Sequence, residues 1–178
     1  MALAWNAIAP WKVQDVFEYI RRAGLPLHEA YTRYGSSRLS CSFCIMSSQS
    51  DMRAAISCES NRAAYLALVE LEASSSFSFQ GTRWLGDLAP HLLTDDLKAR
   101  IVRAKEIGKL RDEAEGRIPK HLLFTKGWPT VMPTTEEAAL IAKVRCEVAG
   151  LLGLEIGYRD ADSVMNRFAE LMAEKAAK

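Results

Sequence analysis

Cysteines carry most of the chemistry available to this chain, and two of the four are near neighbours in Cys41-Ser-Phe-Cys44. Two thiolates at this spacing can grip one metal ion or one corner of an iron–sulfur cluster, because the turn points both sulfurs the same way. Cys58 follows fourteen residues after Cys44, and a helix folding back between them would bring it close. Cys41, Cys44 and Cys58 are therefore the candidate metal ligands. Three thiolates are one short of a closed four-thiolate site. Cys146, His28 and Asp51 are candidates for the fourth position, although Cys146 lies far along the chain in an amphipathic helix. Spacing alone leaves other readings open. The thiols can fill space as partly buried small apolar groups. They can also form a redox pair, but no strand–C-x-x-C–helix context inside a βαβ unit is present.

Other chemistry is absent from the pattern. His28, His91 and His121 are scattered, with no His-x-x-x-His pair and no Gly-x-Ser-x-Gly elbow. The ten glycines stand singly, so neither a Gly-x-x-x-x-Gly-Lys-Ser/Thr loop nor a Gly-x-Gly-x-x-Gly turn exists to cradle phosphate. Asp95-Asp96 reads as acids in the first turn of a helix rather than as a metal pair.

The elements that must position the cysteines are helical. Val13, Val16, Phe17 and Ile20 fall at helical spacing, with Pro10 suited to the first turn and Gly24 to the stop. Residues 25–38 read mostly as loop. Helices are expected near 50–57 and 61–73, the second with Leu66, Val69 and Leu71 as apolar positions. Thr94 caps a helix over about 95–115 with Leu97, Ile101, Val102 and Ile107 inward. Pro119, Gly127, Pro129 and Pro133 punctuate a connector over 116–133. Thr134-Thr-Glu-Glu opens a helix carrying Ala138, Ile141, Ala142, Val144, Val148, Leu151 and Leu152. Leu154–Tyr158 is a candidate strand. Asp160 or Asp162 caps a last helix through Val164, Phe168, Leu171 and Met172. The fold class is thus mainly α: a helical domain with a Cys-rich metal or cluster loop and at most one or two short strands. The division expected is 1–90, bearing the cysteines, and 91–178, a helical extension.

Composition bounds the rest. The 178 residues are 49% hydrophobic and 25% charged, ordinary values for a globular chain. Lys and Arg number 23 against 22 Asp and Glu, and residues 1–90 balance eight against eight. Nucleic acid is therefore a partner that charge does not indicate. No apolar run approaches the roughly 20 residues that span a bilayer. The N-terminus lacks the basic and apolar regions of a signal peptide, so the cytoplasm, where thiols stay reduced, is the expected location.

Two segments carry a resemblance: Trp5-Asn-Ala-Ile-Ala-Pro-Trp11-Lys-Val-Gln-Asp15-Val-Phe17, and Leu27-His28-Glu-Ala-Tyr31 with Tyr34-Gly35-Ser-Ser-Arg38-Leu-Ser-Cys41-Ser-Phe-Cys44-Ile45. Together they resemble the C-terminal half of the phosphoadenosine phosphosulfate (PAPS) reductase family, in its phage, prophage and DNA-phosphorothioation branch. There a tryptophan-led helix follows the nucleotide core and a "P-x-Y…G…R-x-x-C-x-x-C-I" segment comes next. Ile118 to Thr130 and Pro133 to Ala138 also look like tails of phage-type members. The chain departs from the family in lacking its Ser-Gly-Gly-Lys-Asp-Ser-like phosphate loop. It also lacks the Glu-Cys-Gly-x-His signature of the assimilatory reductases.

The resemblance implies a [4Fe–4S] cluster on Cys41 and Cys44, with Cys58 added by proximity and zinc as the alternative. It implies a sulfonucleotide reductase or sulfur-transfer component whose nucleotide is held by a separate ATP-pyrophosphatase-type chain. Arg33 and Arg38 then become candidates to face its phosphates, against the plainer reading of both as surface salt bridges. A non-enzymatic interaction or regulatory module of phage origin is the rival reading. Trp5, Ile8, Trp11, Phe17 and Tyr31 are many large apolar groups for one short segment, so a homo-oligomer or a complex with that second chain is expected. With no phosphate-cradling loop, the purified chain alone is expected to bind neither ATP nor PAPS tightly. Micromolar affinity by calorimetry would overturn this and point to a site built from Arg33, Arg38 and Lys126.

Overall fold

Helix α1 (Val13–Arg22) starts at Lys12, whose backbone N–H donates to the Asp15 carboxylate at 2.8 Å. Pro10 lies in the preceding turn, three residues before the first helical residue Val13, because Asp15 sets the cap. The helix ends as its sequence predicts. Gly24, at φ +65°, lets Leu25 N–H reach the Ile20 carbonyl at 3.1 Å and its own N–H reach Arg21 at 3.2 Å. That pair of bonds closes a Schellman stop, which a side chain with a Cβ would strain.

A computed structural model describes residues 5–177 of the chain. It divides into two compact units, Met1–Tyr65 and Leu66–Lys178. In the first unit α1 is followed by the short α2 (Glu29–Thr32), inside a stretch read from sequence as loop, and by α3 (Gln49–Ser57). Met52, Ala54, Ile56 and Tyr65 are buried there, and the Phe43 ring lies 6.3 Å from Tyr65. Helix α1 itself has no buried residue.

Helix α4 (Arg62–Ser75) carries the chain into the second unit, which holds α5 (Asp95–Glu115), α6 (Thr135–Leu152) and α7 (Ala161–Ala176). Each of these three starts where its cap predicts. Thr94 accepts from Leu97 N–H at 3.2 Å, Thr134 and Glu137 form a reciprocal box, and Asp160 accepts from Ser163 N–H at 2.8 Å. Helix α6 packs on α5 and on α7. Between α6 and α7, Ala138, Ala142, Val164 and Phe168 form a buried cluster, covered by Trp128 and Ile141.

The inward faces differ from those expected where small or charged residues do the packing. On α5 the buried stripe is Leu97, Ile101, Ala104 and Gly108, while Val102 is exposed. On α4, Val69 is buried as expected, but Leu71 is exposed and Glu72 is buried. Among the described residues no strand forms; there is one isolated bridge, Gln80 to Arg83. Leu154–Tyr158 stays a loop because no second strand lies beside it to complete a ladder.

Glu72 explains its own burial. Its carboxylate accepts the backbone N–H groups of Phe79 at 2.8 Å, Leu85 at 2.7 Å and Gly86 at 3.0 Å. An irregular segment thereby satisfies three amides that no ladder would serve. Glu72→Ala should leave those donors without a partner and cost about 3 kcal/mol or more. The expected readout is a melting temperature lowered by roughly 10 °C; an unchanged melt would show that the segment is held by something else.

Candidate functional site

The cysteine motif sits on a loop fastened at both ends to one carboxylate. Asp51, in the first turn of α3, accepts the Ser37 N–H at 2.6 Å and the Ser37 hydroxyl at 2.9 Å. It also accepts the Ser48 hydroxyl at 2.7 Å, while Ser48 caps α3 by accepting Asp51 N–H at 3.1 Å. These bonds, the Ser37 N–H foremost, hold the Asp51 carboxyl below the usual carboxylate range. Two further ties cross the loop. Arg38 donates to the Met46 carbonyl at 2.8 Å, and Leu39 N–H donates to the Tyr31 hydroxyl at 2.9 Å.

Beneath the loop is a cavity of about 320 Å³, lined among others by Tyr34, Arg38, Cys41, Asp51 and Cys58. All four cysteines of the chain are free thiols. Cys58 closes α3, and the 3₁₀ turn Glu59–Asn61 brings Ser60 back to it, with the hydroxyl 3.1 Å from the sulfur. Tyr34 lines the same cavity, and its hydroxyl lies close enough to Cys58 to act on the thiol. The Ser60 bond first, and then the Tyr34 bond, lower the Cys58 thiol pKa by stabilising its thiolate. The same contact pushes the Tyr34 phenol up.

The predicted ligands divide. Cys41 and Cys58 line the cavity, whereas Cys44 stands outside that lining and its sulfur accepts Met46 N–H at 3.4 Å. Among the described residues no three His, Cys, Asp or Glu side chains are grouped to hold a metal ion. Asp51, considered as a fourth ligand, is engaged by Ser37 and Ser48, and the His28 Nδ1 caps α2 by accepting Ala30 N–H at 3.1 Å. Cys146 is exposed on α6 rather than buried in a core, its thiol 3.8 Å from the Arg159 carbonyl.

The two arginines also part. Arg38 lines the cavity and is held by a backbone carbonyl, not by a carboxylate. Arg33 is an exposed ion-pair partner of Glu29 at 3.8 Å, its guanidinium 5.2 Å from the Tyr34 ring centre. Sequence reasoning missed the roles of Tyr34 and Ser60. Ser60 is two residues from Cys58 and could have been found from a turn; Tyr34 reaches it only through tertiary folding. The arrangement can present a thiolate and a guanidinium to one cavity, a combination suited to anionic, sulfur-bearing molecules.

Set against family models, curated proteins and solved structures, the chain matches none.

A lowered thiol pKa has a kinetic consequence, because the thiolate is the attacking form. Iodoacetamide should modify Cys58 with a pH midpoint below the ordinary thiol value of about 8.5. Tyr34→Phe and Ser60→Ala should each move that midpoint upward, followed by peptide mass spectrometry. A midpoint unmoved by both variants would dismiss the hydroxyl contacts as the cause.

Proposed function

We propose that the first unit is the cysteine-bearing half of a PAPS-reductase-like sulfonucleotide reductase or sulfur-transfer enzyme. In this reading it takes a [4Fe–4S] cluster on Cys41, Cys44 and Cys58, works in the cytoplasm, and meets its nucleotide on a separate ATP-pyrophosphatase-type chain. The observation that carries the reading is the sharing of one cavity by Cys41, Cys58 and Arg38. Thiols and a guanidinium lining one cavity are the groups that handling a sulfur-bearing anion calls for.

The loop as it stands offers two of the three thiols to the cavity. Bringing Cys44 to them takes a rotation within the 41–44 turn, which breaks the Met46 N–H bond to its sulfur. A bound cluster supplies electron-transfer or sulfur chemistry; the chain holds it through its thiols and draws the anion with Arg38. Arg33, the exposed residue that ends α2, adds charge where a nucleotide-bearing chain approaches. Among the described residues no helix is long and apolar enough to cross a membrane.

A second reading, a zinc-stabilised interaction module of phage or prophage origin, has its own supporting observation. Trp5 is 91% exposed, and Ile8 and Trp11 are exposed as well. Phe17 and Tyr31, by contrast, stack edge to face at 5.3 Å. Large apolar groups left at a surface mark contact with another protein.

Anaerobic purification separates the readings. The cluster reading expects brown protein with iron, acid-labile sulfide and broad visible absorption; the module expects colourless, zinc-containing protein. Cys41→Ser and Cys44→Ser are each expected to lose the metal and to destabilise residues 25–60, seen as faster amide exchange there. Full metal content and unchanged exchange in both variants would place the metal elsewhere.

A further inference from the structure

The second unit has a concave site of its own, chemically unlike the cysteine cavity. It lies where the connector before α6 crosses the α6–α7 pair and has a volume of about 360 Å³. Its floor is apolar. Trp128, Ile141, Val164 and Phe168 supply it, with the Trp128 and Phe168 rings edge to face at 5.3 Å. The indole N–H of Trp128 already donates to the Leu122 carbonyl at 3.0 Å, so that ring presents only its apolar face. Phe124, 83% exposed, stands at the edge.

The polar lining is confined to Arg145, Tyr158 and Arg167. The two cations differ in what surrounds them. Arg167 is paired with Glu170 at 2.9 Å and Glu174 at 3.4 Å. Arg145, among the described residues, has no carboxylate partner. It donates to the Gly157 carbonyl at 3.3 Å and stands 5.8 Å from the Tyr158 ring centre. Tyr158 holds a backbone φ of +55°, a conformation rare for a residue with a side chain, and its ring lies on the same groove as Arg145. The result is an apolar trough of ligand-binding size with one uncompensated guanidinium.

We propose that this groove binds a small monocarboxylate with an apolar body, such as a medium-chain or aromatic acid, its carboxylate on Arg145 and its body over Trp128 and Phe168. One uncompensated cation matches a single negative charge, and the guanidinium fork matches the two oxygens of a carboxylate. A phosphate dianion would leave its second negative charge unmatched by the single uncompensated cation. The apolar floor of Trp128 and Phe168, in a trough of about 360 Å³, suits a short body more than a passing peptide. The proposal is independent of the cysteine site, because every residue it uses belongs to Leu66–Lys178.

The test uses the full chain and three ten-carbon probes: decanoate, decanol and decyltrimethylammonium. Decanoate below its micelle concentration should bind saturably and shift the methyl resonances of Ile141 and Leu171. Arg145→Gln should weaken decanoate at least tenfold while leaving decanol binding unchanged. That variant alters a side chain whose only partners among the described residues are the Gly157 carbonyl and the Tyr158 ring, and a melt identical to wild type confirms its fold. Phe124→Ala, at an exposed edge, should weaken decanoate and decanol alike. The proposal fails if folded wild-type protein does not bind decanoate, or if decyltrimethylammonium binds as tightly. It fails equally if Arg145→Gln keeps full decanoate affinity, if Ile141 and Leu171 do not respond, or if an acidic amphipathic peptide binds and decanoate does not.

Discussion

The cysteine loop exists in one shape because a single carboxylate closes it. Asp51 takes hydrogen bonds from Ser37 at one end of the loop and from Ser48 at the other. The residues between them form no regular structure and leave Leu39, Ile45 and Met46 exposed, so their backbone order has to come from polar ties. Everything proposed for the cavity follows from that closure: Arg38 stretched across to Met46, and Cys41 sharing the cavity lining with Cys58, which ends the helix that carries Asp51. In the second unit Glu72 solves the same problem in the same way, holding three backbone amides of an irregular segment from the face of a helix. In each case the ionised acceptor gives a charge-assisted bond about twice as strong as a neutral one.

The same closure separates the thiols. A C-x-x-C pair suggests two sulfurs acting together, yet here Cys44 takes an N–H from its own turn while Cys41 shares a cavity with Cys58. Cys58 is further distinguished by two hydroxyls, from Ser60 and Tyr34, that favour its thiolate. The site is thus asymmetric, with one activated sulfur, one neighbouring sulfur and a third a turn away. Metal loading would compete with those hydroxyls for Cys58, since a coordinated thiolate no longer needs them.

Where small residues pack, helix faces were harder to read. Helix α5 buries Ala104 and Gly108 and leaves Val102 outside; a Cβ at Gly108 would meet the Ser76 carbonyl at 3.3 Å and the Trp84 ring at 3.9 Å, so a low-profile residue fits there where a large one would not. On α4 the apolar Leu71 is exposed and the acidic Glu72 buried, an inversion that hydrophobic periodicity cannot predict. Leu154–Tyr158 had a strand-like composition, but strands need partners and none stood beside it.

The sequence by itself determined what depends on near neighbours. Thr94, Thr134 and Asp160 set helix starts, Gly24 set a helix stop, and the helical periods set a mainly α chain. Each of those signals acts within one or two turns of backbone. The cysteine candidates and Arg38 were visible as residue types, since their motif is local. What they would meet was not. That Tyr34 reaches Cys58, that Asp51 is a clasp and not a ligand, and that Arg145 stands without an acid beside an apolar trough were decided only by tertiary structure. The contacts Tyr34–Cys58, Ser37–Asp51 and Arg145–Gly157 join residues 12 to 24 positions apart, and nothing in local spacing encodes which of many possible long-range pairings the folded chain makes.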